Sequence, residues 1–161
     1  MKINTIAIIG LGNILLRDEG VGVRVIEQLK KNYSFSPSIN IIDGGTLGFA
    51  LINEIQDCEK LIIVDAVKAG EKPGTIYKFS REDIELKIPV AVSVHDVGFL
   101  EVLNQWKMLG VCPAVVFFGI EPYDISSFDM SLSSLMQEKI PKLVGLILEE
   151  LKNDGIAAKI V

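Results

Sequence analysis

Short, wholly apolar runs alternate along this chain with longer stretches of helical spacing. That alternation constrains the fold more than any other feature. Residues 5–11, 60–67 and 114–120 are runs of strand length, rich in β-branched residues and interrupted by charge only at Lys60 and Asp65. Such runs suit strands buried on both faces. Helical spacing marks about 19–33, through Val21, Val25, Ile26 and Leu29, with Asp18 as the expected N-cap. A second helix is expected from Thr46 to about 56, through Leu47, Leu51, Ile52 and Ile55. A third is expected over 97–109, through Phe99, Leu100, Leu103 and Trp106, with Gly110 as its stop. The last is expected over 131–152, with Pro141 predicted to kink it. Residues 39–43 read as a short strand closed by Gly44-Gly45, and 74–80 alternate as an edge strand. Residues 81–94 have no assigned period. Strands and helices in this order imply an α/β fold with a mostly parallel sheet and helices on both faces. Ligands of such folds sit beyond the C-terminal ends of the strands.

Composition narrows the function classes. A chain of 161 residues fits one domain, 1–161. Hydrophobic residues make up 49%, which excludes a disordered chain. The net charge of −5, with no basic run beyond Lys30-Lys31, argues against a nucleic-acid partner. Cys58 and Cys112 form no CxxC pair and read as buried small apolar residues in a reducing compartment. No apolar run reaches the roughly 18 residues that would cross a bilayer, so no membrane insertion and a cytoplasmic location are expected.

Three residues that can ligate a metal each follow an apolar run: Glu19, Asp65 and His95, the last being the only histidine. Together they would make an oxygen, oxygen, nitrogen site suited to nickel, zinc or manganese. Each also has a plainer reading. Glu19 in the first turn of a helix complements its dipole. Asp65 can serve as a cap or a loop acceptor, and His95 as an ordinary core or surface residue. Gly20 and Gly22 weaken the plain reading of Glu19, since glycine costs about 1 kcal/mol against Ala inside a helix. They suggest a close approach to the backbone. Gly10-Leu11-Gly12 stands where a dinucleotide fingerprint would, with Asp43 placed for a ribose, but the third glycine is replaced by Leu15. Asp43-Gly44-Gly45-Thr46 reads either as an exposed recognition loop or as a strand-to-helix turn. There is no GxSxG elbow and no HExxH.

Five motifs in order resemble the hydrogenase maturation endopeptidases, which trim the C-terminus of the large subunit of nickel-iron hydrogenases. They are Gly10-Leu11-Gly12-Asn13 with Asp18-Glu19-Gly20-Val21-Gly22, Asp43-Gly44-Gly45-Thr46, Ile63-Val64-Asp65-Ala66, Ser93-Val94-His95, and Gly119-Ile120-Glu121-Pro122. The resemblance spans almost the whole chain. It implies a three-layer α/β/α sandwich, phosphorylase/hydrolase-like, on a five-stranded sheet with one antiparallel edge strand. It implies that Glu19, Asp65 and His95 bind a divalent metal and act in catalysis. The metal would be nickel carried by the precursor of the large subunit, with other divalent ions possible at the same site. Asp43, Gly44, Gly45 and Thr46 would recognise the substrate. Asp96 and Glu121 depart from the residue types common in that family. Two other readings compete: a nickel-sensing maturation chaperone that cuts nothing, and a Rossmann-like nucleotide enzyme.

Overall fold

Each of the apolar runs forms a strand. In the computed structural model, which describes residues 5–45, 48–83, 92–93 and 99–161 (residues 48–49, 92–93 and 99–100 by backbone), β1 spans Ile6–Leu11 and is buried throughout. It is followed by a 3-10 turn, Arg17–Gly20, and by α1, Val21–Asn32. Then come β2 (Tyr33–Ser36), β3 (Asn40–Gly45), a 3-10 turn (Gly48–Leu51), α2 (Ile52–Ile55) and β4 (Lys60–Lys68). The chain continues through β5 (Ile76–Ser80), β6 (Val92–Ser93), α3 (Phe99–Met108), β7 (Ala114–Ile120), α4 (Ser134–Asn153) and β8 (Ala157–Ile160).

The main sheet has the order β3-β1-β4-β7-β5. β1 pairs in parallel with β3 and β4, and β4 in parallel with β7. β5 closes the edge, as its alternation predicts, and runs antiparallel to β7, as the resemblance implies. The two-residue β6 pairs antiparallel with the end of β4. Both faces are covered. α1 and α4 pack Val25, Ile26, Leu29, Leu143 and Ile147 against Ile8, Ile62 and Val64. Leu51, Ile55, Val102, Leu103 and Trp106 cover Ile9, Leu61, Ile63 and Phe117 on the opposite face. These layers make the expected α/β/α sandwich.

α1 lies unusually close to the sheet. A methyl group on Gly22 would fall 2.2 Å from the Val64 carbonyl oxygen and 2.3 Å from that of Leu11. One on Gly10 would fall 2.3 Å from the Gly22 oxygen. The glycines that weaken the helix therefore let its first turn press against the ends of β1 and β4. At the other end, α4 is fastened by ions: Lys60 Nζ reaches Glu150 and Asp154, both at 2.6 Å, and Lys78 Nζ reaches Glu150 at 2.7 Å.

Several expectations need correction. Asp18 is not an N-cap: no side chain caps α1, and its carboxylate is engaged elsewhere. Tyr33 leaves the helix to start β2, which pairs with β8 in a separate two-stranded ribbon. β8 is exposed at every position, so it has no apolar face for a sequence reading to detect. The helix expected from Thr46 to 56 is only the 3-10 turn and the four residues of α2. Its expected cap, Thr46, lies outside the described residues, as do residues 97–98 of the third expected helix. α4 runs unbroken through the exposed Pro141, as a kinked helix can, and water can satisfy the carbonyl freed by its missing N–H. Cys112 is exposed and Cys58 half-buried, because both stand in loops rather than in the core. Among the described residues no helix is long and apolar enough to cross a membrane.

Candidate active site

Glu19 is placed by backbone contacts on both sides. β1 leads into Gly12, whose φ of +146° favours glycine. A methyl group there would lie 2.1 Å from the Glu19 carbonyl oxygen. Arg17, two residues ahead of Glu19, has φ +50°, a left-handed conformation that costs a side-chain-bearing residue about 1 kcal/mol or more. It is held there by Asp129, whose carbonyl accepts from Arg17 N at 2.9 Å and whose carboxylate accepts from Nη1 at 2.7 Å. Glu19 itself is buried, and its N–H donates to Leu16 O at 3.1 Å. The carboxylate stands one turn before α1, where the partial positive charge of the helix end suits an anion.

Asp18 is fully buried and anchors the same turn to a distant segment. Its Oδ1 accepts from Ser133 N at 2.7 Å. Its Oδ2 accepts from Ser133 Oγ at 2.8 Å, Asp124 N at 2.9 Å and Tyr123 N at 3.1 Å. The loop after β1 and the loop after β7 are thereby joined beside the end of β4, the strand between them. Sequence reasoning missed this role because the partners lie 105 to 115 residues away.

Asp65 interrupts the apolar run of β4 and is fully buried. By alternation it shares a face with Leu61, Ile63 and Val67. Its neighbour across the sheet is Gly119, which has no side chain to crowd it. Asp65 Oδ1 accepts from Ala66 N at 2.8 Å. The close approach of Gly22 to the Val64 oxygen ties the two acids together: Asp65 directly follows Val64, and Glu19 precedes Gly22 by three residues. The first turn of α1, just after Glu19, thus packs on the end of the strand that carries Asp65. His95 and Asp96 lie outside the described residues. Ser93, two residues before His95, pairs with Val67, two residues after Asp65. Among the described residues no group of three or more His, Cys, Asp or Glu is placed to hold a metal.

The Asp43-Gly44-Gly45 segment adjoins the Gly12 turn. Gly12 N donates to Gly45 O at 2.9 Å, so that N–H is not offered to a phosphate as a dinucleotide site would require. Gly44 packs so closely on β1 that a methyl group would lie 2.7 Å from Ile9 Cγ2. Asp43 is exposed, and its Oδ1 accepts from Gly45 N at 3.0 Å.

On the other side of β4, a groove of about 540 Å³ is lined by Lys68, Pro122, Tyr123, Asp124, Ile125 and Ser126. The buried Glu121 carboxylate holds its rim, accepting from Ala69 N at 2.9 Å, Gly70 N at 3.2 Å and Tyr77 Oη at 2.9 Å. Burial and then this carboxylate push the Tyr77 pKa upward, so the phenol remains a donor. Sequence reading marked Glu121 only as a departure in a motif; its structural duty was not visible there. Asp124 accepts from Ser127 Oγ at 2.6 Å and from the Ser126 and Ser127 amides, which lower its pKa to about 2.

Comparison with known proteins agrees with this fold. Residues 23–150 match the family model for the hydrogenase maturation protease HycI, a span that includes Asp65 and His95 and begins after Glu19. The hydrogenase 2 maturation protease of Escherichia coli K12 is 30% identical over 155 residues, covering 95% of this chain and 94% of its own. The hydrogenase expression/formation protein HupD of Bradyrhizobium diazoefficiens is 34% identical over 156 residues, covering 95% of this chain and 81% of its own. Among solved structures, the E. coli hydrogenase maturating endopeptidase HybD superposes with a TM-score of 0.84 at 30% identity, covering 97% of both chains. HycI from Thermococcus kodakarensis superposes with a TM-score of 0.76 at 26% identity, covering 92% of this chain and 93% of its own. An α/β/α sandwich on a chain with these relatives defines a maturation protease. The chain belongs to the hydrogenase maturation protease family.

Proposed function

We propose that this protein is an endopeptidase that removes the C-terminal extension from the precursor large subunit of a nickel-iron hydrogenase. The observation that carries the reading is that both acids, Glu19 and Asp65, are buried, on segments whose backbones pack together at Gly22 and Val64. His95 completes the set in this reading. Its support is the pairing of Ser93 with Val67, which brings the backbone of β6 beside the strand that carries Asp65.

The nickel belongs to the substrate: it arrives in the immature large subunit. Glu19, Asp65 and His95 offer it ligands and so seat the scissile bond beside the acid pair. A divalent ion so held polarises a peptide carbonyl or acidifies a water. Either carboxylate, already desolvated and within a fixed backbone, is suited to accept the proton of the attacking water. The loop from Asp43 through Thr46 contacts the substrate flank, since Gly45 is bonded to the Gly12 turn that backs Glu19. Other divalent ions with the same ligand preference would occupy the site in vitro. The work is placed in the cytoplasm.

The test is the intact mass of a purified precursor after incubation with the protein, with and without nickel loading. Loss of one C-terminal peptide from the nickel-loaded form alone is the expected result. Binding without any change of mass would replace the peptidase with a chaperone.

A further inference from the structure

The two loops that hold Glu19 also carry an unusual amount of exposed apolar surface. Among the described residues eight large apolar side chains stand exposed, and four of them are on these loops. They are Leu15 at 51%, Tyr123 at 69%, Phe128 at 88% and Met130 at 58% exposure. Surface this apolar is normally covered by something.

The shelf is built rather than loose. Asp129 N donates to Leu15 O at 3.1 Å, Asp18 N to Asp124 O at 3.0 Å, and Arg24 Nη2 to Met130 O at 2.6 Å. Arg17 is paired with Asp129 at 2.7 Å and Asp124 at 3.8 Å, and Arg24 with Glu27 of α1 at 2.9 Å, while the exposed Lys68 beside Tyr123 can keep its ammonium in water. An apolar partner can therefore cover it without burying an unpaired charge from these residues, which would cost several kcal/mol. Aromatic residues and Met are enriched in such interfaces. The exposed area of four side chains falls short of the roughly 800 Å² per partner of a standard interface. Alone it does not hold a second copy of this chain, but it can add to the hold of a neighbouring site on its substrate.

We infer that Leu15, Tyr123, Phe128 and Met130 form a docking shelf for an apolar face of the hydrogenase large-subunit precursor. This rests on the peptidase reading for the identity of the partner. The shelf adjoins Glu19, because Asp18 bonds the Tyr123 and Asp124 amides while its chain neighbour is Glu19. A precursor presenting its C-terminal segment to Glu19 must lie across these loops. The shelf then contributes to KM and the acid pair to kcat.

Phe128→Ser and Met130→Gln test this, with Met108→Ser as control. Met108 is 87% exposed but ends α3, whose chain next enters β7 at the opposite end of the sheet. The two shelf variants should raise KM for nickel-loaded precursor about tenfold each, as truncated interface anchors do, with kcat within about twofold. The control should match the unmodified protein in both constants. Unchanged KM in the shelf variants overturns the inference. So does a self-associating wild type that Phe128→Ser makes monomeric without altering KM. Binding of the same precursor by calorimetry separates the two readings. If the precursor binds uncut and Phe128→Ser weakens binding about tenfold, the shelf stands and the peptidase falls. If it neither binds nor is cut, both fall.

Discussion

Asp18 and Glu19 are chain neighbours with different duties. Glu19 is the one proposed to face the chemistry, whereas Asp18 spends both carboxylate oxygens on four donors from the loop after β7. Asp18→Asn preserves shape but turns an NH2 toward N–H donors in a fully buried setting. It should cost about 1–3 kcal/mol of stability in urea unfolding and slow precursor processing as the Glu19 turn loosens. A loss under about 0.5 kcal/mol would show that the anchor is not needed. At this scale the sequence is informative where chemistry is local. An acid ending an apolar run marks Asp65, and an acid with two following glycines marks Glu19. Asp18 and Glu121 escape, because their value lies in amides distant in the chain or beyond a turn, and no spacing encodes those. Asp18 looks like a cap in sequence, and its carboxylate does serve backbone amides, but those of another segment.

Elements were legible wherever burial imposed a period. β1, β4 and β7 are apolar on both faces, and α1 and α4 carry apolar stripes, so each announces itself within a few residues of its bounds. β2 and β8 do not, because a two-stranded ribbon at the surface needs no apolar face. The region before β4 was overestimated as helix: Leu51 and Ile55 are buried at helical spacing, yet only one turn beyond the 3-10 segment forms. Glycines again separate duty from accident. Gly145, in the interior of α4 and exposed, has nothing within 4 Å of an added methyl group. Gly145→Ala should stabilise the protein by about 0.5–1 kcal/mol through helix propensity, seen as a raised Tm. Gly22, at an equivalent place in sequence logic, should tolerate no such change, since backbone oxygens of two strands occupy the space. A destabilised Gly145→Ala would show that this face of α4 is covered.

At the scale of the whole molecule, the loops after β1 and β7 meet beside the end of β4, and ions hold the assembly together. Hydrogen bonds from Ser127 and Ser126 depress the Asp124 pKa from 3.8 to about 2. Burial opposes the charge on Glu150, but the bonds from Lys60 and Lys78 outweigh it and its pKa is also lowered. A depressed folded pKa stabilises above the ordinary value and is lost as pH falls through the folded one. The stabilising contribution of Asp124 should be complete above about pH 4 and disappear toward pH 2. The Ser126 and Ser127 amide resonances should therefore titrate with a midpoint near 2, and a midpoint near 4 would refute the bonding shown. The most direct measurement is intact mass of one nickel-loaded precursor treated in parallel with wild type, Glu19→Gln, Asp65→Asn and His95→Ala, each first shown to be folded by circular dichroism. Cleavage by wild type, with each variant at least about a hundredfold slower, is the result expected of residues at the reacting centre. Cleavage by Glu19→Gln or Asp65→Asn at the wild-type rate would contradict the account.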